Sequence, residues 1–373
     1  MIIKRGLQPR IEDGFFKGKI IIIYGARQVG KTTLVKEICK KYPDSNYFNC
    51  DEPDVREALT DKTSTEIKAF FGGKKLLVLD EAQRVKNIGL SLKLIADNFP
   101  DWQVIATGSS SFDLSNKITE PLTGRKIEFY LYSFSLAELL EYYSGREAER
   151  LLERFLIYGT YPEIIKNEAE AGKRLKELAQ SYAYKDILQY QNIKNPEILE
   201  KLLRALALQV GQEVSYNELA GIVGADKNTV ASYIQILEKA FIIFRLSPFS
   251  RNLRNELKKL RKIYFFDNGL RNALINNLNP LALRTDAGGL WENFLISERI
   301  KFNNNRGFEP NMYFWRTISG QEIDYLEEAA GSLGAFEFKW TKDKASLPKS
   351  FTIAYPNSQF SLINKNNYRN FLL

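Results

Sequence analysis

The residues best suited to chemistry form a glycine-rich segment near the amino terminus. It fits the pattern G-x-x-x-x-G-K-[ST] and comprises Gly25, Ala26, Arg27, Gln28, Val29, Gly30, Lys31 and Thr32, followed by Thr33. In this pattern the glycines let backbone N–H groups approach phosphate oxygens, Lys31 offsets the phosphate charge, and the Thr32 hydroxyl can hold Mg²⁺. The segment therefore predicts a site for ATP and Mg²⁺.

Two further apolar runs end in polar residues that could complete this site. Leu76 to Leu79 is followed by Asp80, which can bind Mg²⁺ through water, and by Glu81, which can orient an attacking water. A later run ends at Thr107 and leads into Ser109, whose hydroxyl could lie beside the γ-phosphate. A simple polar turn explains Ser109 equally well.

A second set of chemical residues lies near the carboxyl terminus. Period-2 alternation puts Glu337 and Lys339 on one face of a strand, and Asp324 ends a similar alternating segment. Asp324 and Glu337 could chelate a divalent cation while Lys339 orients a water, with Glu292 on the preceding helix completing the metal shell. This arrangement suits metal-assisted phosphodiester hydrolysis, and the alternative is a solvated polar strand face.

A basic region between these sites has the dimensions of a helix-turn-helix with a wing. Its second helix, Lys227 to Lys239, is expected to turn polar residues outward: Lys227, Asn228, Thr229, Ser232, Tyr233 and Gln235. Arg245 to Lys262 then holds seven cations and one acidic residue. Lys227 to Lys262 is thus predicted to bind double-stranded DNA, although such a module can also contact proteins.

The elements that position these residues predict an α/β fold. Ile20 to Ile23 reads as a strand buried on both faces, which is typical of a parallel sheet. The pattern then becomes helical from Ser135 and returns to short alternating strands late in the chain. We predict four domains: 1–135, an ATPase; 136–195, a helical lid; 196–280, a winged helix; and 281–373, a separate α/β unit.

Composition excludes several kinds of chemistry. The 373 residues include no histidine, which removes imidazole bases and ligands, and the two cysteines cannot form a four-ligand zinc site without it. No apolar run is long enough to cross a membrane. A cytoplasmic protein with a net charge of +8, compatible with a polyanionic partner, is expected.

Four segments together resemble the AAA+ ATPases of bacteria and archaea that carry a carboxyl-terminal domain of unknown function. They are Gly25 to Thr33, Leu79 to Arg84, Ala106 to Ser110 and Leu122 to Arg125. The resemblance implies a P-loop NTPase parallel sheet with a helical lid, a winged helix, and a restriction-endonuclease-like PD-(D/E)xK domain at 281–373. It also makes Arg125 a candidate sensor or finger arginine for the γ-phosphate, in cis or in trans, and the alternative is a solvated or structural arginine on a loop.

These observations lead to one expected function and two alternatives, of which a motor that translocates on DNA ranks last because the sequence shows no translocation signature. The expected function is Mg²⁺-dependent ATP hydrolysis coupled to a carboxyl-terminal half that binds and could cleave DNA. The other alternative is an ATP-driven signalling switch whose tail binds protein partners and does not cut nucleic acid. Assembly into a homo-oligomer stays open.

Overall fold

The computed structural model describes residues 2–108, 118, 122–181, 193, 195–249, 261–317 and 319–373. The described chain forms two compact units, of which the first comprises 4–133 with 239–241 and the second comprises the remainder. No helix within the described ranges is long and apolar enough to cross a bilayer. The four-part division expected from the sequence stays a prediction.

The first unit is built on a parallel sheet, which confirms the predicted α/β fold class. Its strands are β1 (Ile20–Tyr24), β2 (Ser45–Asn49), β3 (Leu76–Asp80), β4 (Gln103–Gly108) and β5 (Lys126–Tyr130). They lie in the order β2-β3-β4-β1-β5, and every pair is parallel. The three central strands β1, β3 and β4 are buried along their whole length, as their continuous apolar runs require.

In the described part of the first unit, one α-helix precedes the sheet and four connect its parallel strands. They are α1 (Gln8–Glu12), α2 (Lys31–Lys41), α3 (Pro53–Leu59), α4 (Ser64–Phe71) and α5 (Ile88–Asn98). Helix α2 begins at Lys31, directly after the second glycine of the glycine-rich segment, which therefore connects a buried strand to a helix. The carboxyl ends of parallel strands share one edge of the sheet, so this connection lies at the edge where β3 and β4 also end.

The second unit contains a mixed sheet. Its strands are β6 (Glu213–Val214), β7 (Ile243–Pro248), β8 (Arg261–Phe265), β9 (Asn311–Arg316), β10 (Glu322–Ala329), β11 (Ser332–Phe338) and β12 (Gln359–Ile363). They lie in the order β12-β11-β10-β9-β7-β8-β6. The parallel pairing of Ser247 with Tyr313 and of Pro248 with Phe314 joins the strands that follow the helix-turn-helix to those near the carboxyl terminus.

The described helices of the second unit precede, separate and follow these strands along the chain. They are α6 (Leu136–Tyr142), α7 (Gly145–Arg150), α8 (Leu152–Tyr158), α9 (Pro162–Lys166), α10 (Ala171–Leu178), α11 (Pro196–Leu208), α12 (Tyr216–Val223), α13 (Lys227–Lys239), α14 (Asn268–Leu274), α15 (Ala287–Arg306), α16 (Lys349–Ala354) and α17 (Tyr368–Leu372). Helices α12 and α13 are the pair expected from the helix-turn-helix pattern. Between them, Gly224 adopts the left-handed conformation that ends α12.

Candidate functional site

The glycine-rich segment forms a tight loop between β1 and α2. Gly30 has φ +98°, a conformation that L side chains rarely adopt, and it immediately precedes the first residue of α2. A Cβ atom on Gly25 would lie 2.1 Å from the carbonyl oxygen of Leu131. Both glycines are therefore required by the backbone, and the loop presents its N–H groups at the amino end of a helix.

Lys31 is buried within this loop. Its Nζ donates to the carbonyl oxygens of Gly25 and Ala26 at 2.8 and 2.9 Å. Burial lowers the pKa of Lys31 to about 8, although the nearby carboxylates of Glu81 and Asp80 act in the opposite direction. The lysine is thus directed across the loop, and it is still mostly charged at neutral pH.

Asp80, at the end of β3, is held by hydroxyl groups from several elements. Its Oδ2 accepts from Thr32 Oγ1 and from the Tyr47 hydroxyl, each at 2.7 Å, and its Oδ1 accepts from Thr107 Oγ1. Burial and the hydrogen bond to Asp80 raise the pKa of Tyr47, so this group stays a hydroxyl donor. The carboxylate is therefore fixed beside the hydroxyl that is expected to bind Mg²⁺.

Glu81 has the left-handed backbone conformation, with φ 56° and ψ 42°, which is uncommon for a residue other than glycine. Its N–H donates to Thr107 Oγ1 at 3.0 Å, and its carboxylate accepts from the side-chain amide of Gln83. Thr107 thus binds both Asp80 and Glu81. Strained backbone of this kind is often found where a side chain must be aimed at a reacting group.

The strand order explains why these residues meet. β4 lies between β1 and β3, so Thr107 at its end is placed between the glycine-rich loop and Asp80. Tyr47 reaches the same carboxylate from β2, the neighbour of β3 on its other side. The sequence analysis missed the roles of Thr107 and Tyr47, because each depends on which strands lie side by side.

Arg5 is another residue that the sequence analysis missed. Its guanidinium donates to the carbonyl oxygens of Val29, in the loop, and Tyr132, at 2.8 and 2.6 Å. A planar group with several donors is suited to joining two backbone segments in this way. The signal available in the sequence was only a charged residue in a short segment before β1.

Of two further residues expected near the nucleotide, one lies elsewhere and the other is not among the described residues. Arg125 forms an exposed ion pair with Asp97, and its carbonyl oxygen accepts from Ile20 N–H at the start of β1. The loop follows the opposite end of β1, so Arg125 does not reach the phosphate loop of its own chain; a contact in trans stays a prediction, and the ion pair with Asp97 fits the alternative of a structural arginine. Ser109 lies outside the described residues.

The carboxyl-terminal residues Asp324, Glu337 and Lys339 are brought together by β10 and the end of β11. Lys339 Nζ lies 2.6 Å from Glu337 Oε1 and 3.8 Å from Asp324 Oδ2. Asp324 Oδ2 also accepts the Phe338 N–H at 2.8 Å, and the pairing of β10 with β9 is irregular between Ile323 and Leu326. Irregular strand geometry of this kind can redirect a side chain.

Glu292, the fourth expected residue, has partners on β8. Glu292 Oε1 accepts from Lys262 Nζ at 3.1 Å and from the Tyr264 hydroxyl. The Lys262 ammonium also forms an ion pair with Glu322 on β10. Lys262 therefore joins Glu292 to the strand that carries Asp324.

The charges of this cluster shift one another's proton affinities. Burial, with the charges of Glu292 and Glu337, raises the pKa of Asp324 to about 8 against the opposing effect of Lys262 and Lys339. Burial alone would lower the pKa of Lys262, but the surrounding carboxylates raise it above its ordinary value. Lys262 therefore stays charged in spite of its burial.

A divalent metal does not fit this arrangement. In the described part of the chain, no group of three or more histidine, cysteine, aspartate or glutamate residues could hold a metal ion. The carboxylates of Glu292, Asp324 and Glu337 instead face lysine ammonium groups and a backbone N–H. The metal shell expected from these three residues is therefore not formed by this geometry.

The helix-turn-helix exposes part of the expected polar face. Lys227, Asn228, Ser232 and Gln235 are exposed on α13, and Thr229 is half-buried. The outward placement expected for Tyr233 is wrong, since this side chain is 3% exposed and its hydroxyl accepts the Asn195 N–H. Buried positions recur every three or four residues along α13, and this helical periodicity places Tyr233 in the core with its neighbours Val230 and Ile234.

The basic segment after this helix is only partly available as a polyanion-binding surface. Arg245 is bound to Glu238 and to the Tyr216 hydroxyl. The availability expected for Lys262 is wrong, because it is 2% exposed. Arg251, Arg254, Lys258 and Lys259 lie outside the described residues.

The loop, the strand order and the Asp80 network can be compared with known families. Residues 17–140 match the family model described as AAA domain. Two further matches follow along the chain: residues 149–281 match Domain of unknown function (DUF8612), and residues 287–370 match Domain of unknown function (DUF4143). The AAA domain match and the site geometry together support an AAA+ ATPase.

Related sequences extend over most of the chain. The uncharacterized protein Rv2008c of Mycobacterium tuberculosis is 26% identical over 97% of this chain and 79% of its own length. The uncharacterized protein MJ1544 of Methanocaldococcus jannaschii is 26% identical over 85% of this chain and 74% of its own. The Walker-type ATPase paby2304 of Pyrococcus abyssi shares the fold, with a TM-score of 0.50 and 17% identity over 73% of this chain and 96% of that one.

The lowered pKa of Lys31 predicts a pH dependence of nucleotide binding by the AAA domain. Phosphate favours the charged lysine, so binding above pH 8 requires proton uptake by Lys31. ATP affinity should therefore fall as pH rises, approaching about tenfold per pH unit well above that value. Calorimetric titration at pH 8.5 in two buffers of different ionisation enthalpy should detect the proton uptake.

A control for this prediction is Lys31→Arg, whose guanidinium does not titrate in this range. Its ATP affinity should be lower than that of the wild type but constant between pH 7 and pH 9.5. A wild-type affinity that is equally constant over this range would contradict the assignment of the titration to Lys31.

Proposed function

We propose that this chain binds and hydrolyses Mg-ATP at the phosphate loop of its AAA domain and couples the nucleotide cycle to binding of double-stranded DNA. The observation that carries the ATPase part is the contact between Thr32 and Asp80 at 2.7 Å beside the buried Lys31. These are the groups that Mg-ATP needs in one place: a hydroxyl and a carboxylate for the metal, and a cation for the phosphates.

The residues of the loop fit a bound Mg²⁺ ion. Thr32 and Asp80 offer oxygen donors, which this hard cation prefers, and Asp80 is already held by the hydroxyls of Tyr47 and Thr107. When bound, Mg²⁺ would supply positive charge to the β- and γ-phosphates. Lys31 is proposed to exchange its two carbonyl partners for phosphate oxygens.

Glu81 is proposed to orient the attacking water. Its left-handed backbone and the hydrogen bond from its N–H to Thr107 fix the start of its side chain next to Asp80. A carboxylate there can accept a hydrogen bond from water and draw its proton as the bond to phosphorus forms. Thr107 would then act as a positioning residue for both acids.

The DNA-binding part is supported by the exposed face of α13. Asn228, Ser232 and Gln235 follow one another at intervals of four and three residues and share one face of the helix. Amide and hydroxyl side chains of this kind can bond base edges, and Lys227 at the start of the helix can bond a phosphate. Cleavage is not included in the proposal, because the carboxyl-terminal cluster does not fit a metal.

The DNA part is tested by duplex filter binding over a series of salt concentrations. Affinity should fall steeply with salt, and Lys227→Ala should reduce the slope of log affinity against log salt by about one. Lys349→Ala, an exposed lysine on α16, is the matched control and should leave the slope unchanged. Absence of duplex affinity at low salt would refute the DNA part.

Coupling is tested by measuring ATP turnover with and without duplex. A DNA-dependent change in turnover that Lys227→Ala weakens would support it. A signalling switch is the second candidate, since winged helices also bind proteins and Arg245 and Lys262 are already engaged. ATP-dependent assembly with a protein partner, without DNA affinity, would favour that alternative.

A further inference from the structure

The cation at the carboxyl-terminal carboxylate cluster comes from the chain itself. Lys262 enters from β8, a strand that precedes the carboxylates in sequence by at least 30 positions. Its Nζ contacts Glu292 on α15 and Glu322 on β10, and the same Nζ lies over the Phe314 ring, 5.5 Å from the ring centroid. The side chain is 2% exposed.

Burying a lysine this deeply is unfavourable unless its charge is compensated. Here the compensation is mutual, since the Glu292 and Glu322 side chains are 14% and 30% exposed and their carboxylates both face the ammonium. The Tyr264 hydroxyl, on the same face of β8, supplies a second donor to Glu292. The carboxylate oxygens that would bind a metal therefore contact donor groups of the protein instead.

The other two carboxyl groups of the cluster, Glu337 and Asp324, also face a lysine. Lys339 Nζ lies between Glu337 and Asp324, and Asp324 also accepts the Phe338 N–H. Mg²⁺ and Mn²⁺ require several oxygens at about 2.1 Å, which is closer than an ammonium contact allows. Carboxylates spaced around ammonium groups are therefore arranged differently from a metal shell.

We propose that the Lys262 ammonium is a built-in counter-cation that takes the place of a divalent metal between Glu292 and Glu322, beside the pair of Glu337 and Asp324 that Lys339 contacts. The cluster then holds β8, β10 and α15 together without a metal cofactor. This inference is independent of the proposed ATPase and DNA-binding functions, because it rests on neither the phosphate loop nor the exposed face of α13.

The inference predicts that removing the ammonium opens the cluster to metal. Mn²⁺ binding is measured by electron paramagnetic resonance on the nucleotide-free full chain, with Asp80→Asn in every protein to exclude binding at the phosphate loop. The chain with Lys262 should have no Mn²⁺ site that depends on Glu292. Lys262→Met should gain one such site, which binds Mn²⁺ at least tenfold more tightly than any residual binding by the chain with Lys262, and adding Glu292→Gln should abolish it.

Lys344→Met, at an exposed lysine, is the matched control and should gain no site. Two results would overturn the inference. One is a Mn²⁺ site in the chain with Lys262 that disappears with Glu292→Gln. The other is a folded Lys262→Met protein, judged by circular dichroism, that binds no more Mn²⁺ than its parent.

The inference can still be tested if Lys262→Met fails to fold. Lys262→Met that unfolds in EDTA and refolds with Mn²⁺ supports the inference directly. If Lys262→Met is unfolded both in EDTA and with Mn²⁺, the unfolding midpoint of the chain that retains Lys262 is measured with and without Mn²⁺. A midpoint that Mn²⁺ does not shift through Glu292 supports the built-in cation. A Mn²⁺-induced shift that Glu292→Gln removes overturns the inference.

Discussion

Replacing Glu81 with glutamine is expected to lower the rate of ATP hydrolysis about 100- to 1,000-fold, with ATP affinity changed only a few-fold. The amide has nearly the same volume as the carboxylate, and its oxygen can still accept a hydrogen bond from Gln83. It cannot, however, accept a proton from water. The neighbouring Asp80 keeps its three hydroxyl partners among the described residues, so the metal-binding side of the site is unchanged.

The measurements are single-turnover hydrolysis and equilibrium ATP binding on the same preparation. Glu57→Gln, an exposed glutamate on α3, removes the same charge away from the loop and should retain the wild-type rate. Undiminished hydrolysis in Glu81→Gln would remove Glu81 from the proposed mechanism. Loss of ATP binding together with hydrolysis would instead give this residue a role in holding the loop.

Replacing Gly25 with alanine is expected to have a comparably large effect, through sterics. The added Cβ would lie 2.1 Å from the Leu131 carbonyl oxygen, and that backbone is fixed by its N–H bond to Tyr24 at 2.7 Å. Neither the loop at Gly25 nor the backbone at Leu131 can move away without a cost in free energy, so we expect a loss of about 3 kcal/mol in unfolding free energy. The displaced loop should also lose most of its ATP affinity.

Gly73→Ala is the matched control, because a Cβ there meets no atom within 4 Å and its φ is not in the strained region. Denaturant unfolding of the nucleotide-free proteins and ATP titration would be measured on both variants. The control should match the wild type in both. A Gly25→Ala protein that binds ATP within twofold of the wild type would show that the loop tolerates the clash.

The two predictions separate two properties of the nucleotide site. Glu81→Gln changes the chemistry of a side chain that the backbone already holds in place, whereas Gly25→Ala changes the backbone that holds everything else. If the first abolishes turnover and the second abolishes binding, the loop and the end of β3 act as proposed. Proton uptake by Lys31 then reports on the same loop by an independent measurement.

The sequence by itself determined the elements whose signals are local. The phosphate loop was readable because its glycines, lysine and threonine are contiguous and lie between an apolar strand and a helix. The buried strands β1, β3 and β4 were predicted from continuous apolar runs. The edge strands β2 and β5 were missed, because they are mostly half-buried and their sequences mix polar and apolar residues.

The tertiary structure alone decided which partners these residues have. Thr107 and Tyr47 reach Asp80 because β4 and β2 flank β3, and the strand order leaves Arg125 at the far end of β1. Lys262 belongs to a basic run that resembles a DNA-binding surface, yet its strand lies within a sheet that buries it against Glu292. A sequence displays each charge, but whether that charge meets water, DNA or a buried carboxylate depends on which distant strands pack beside it.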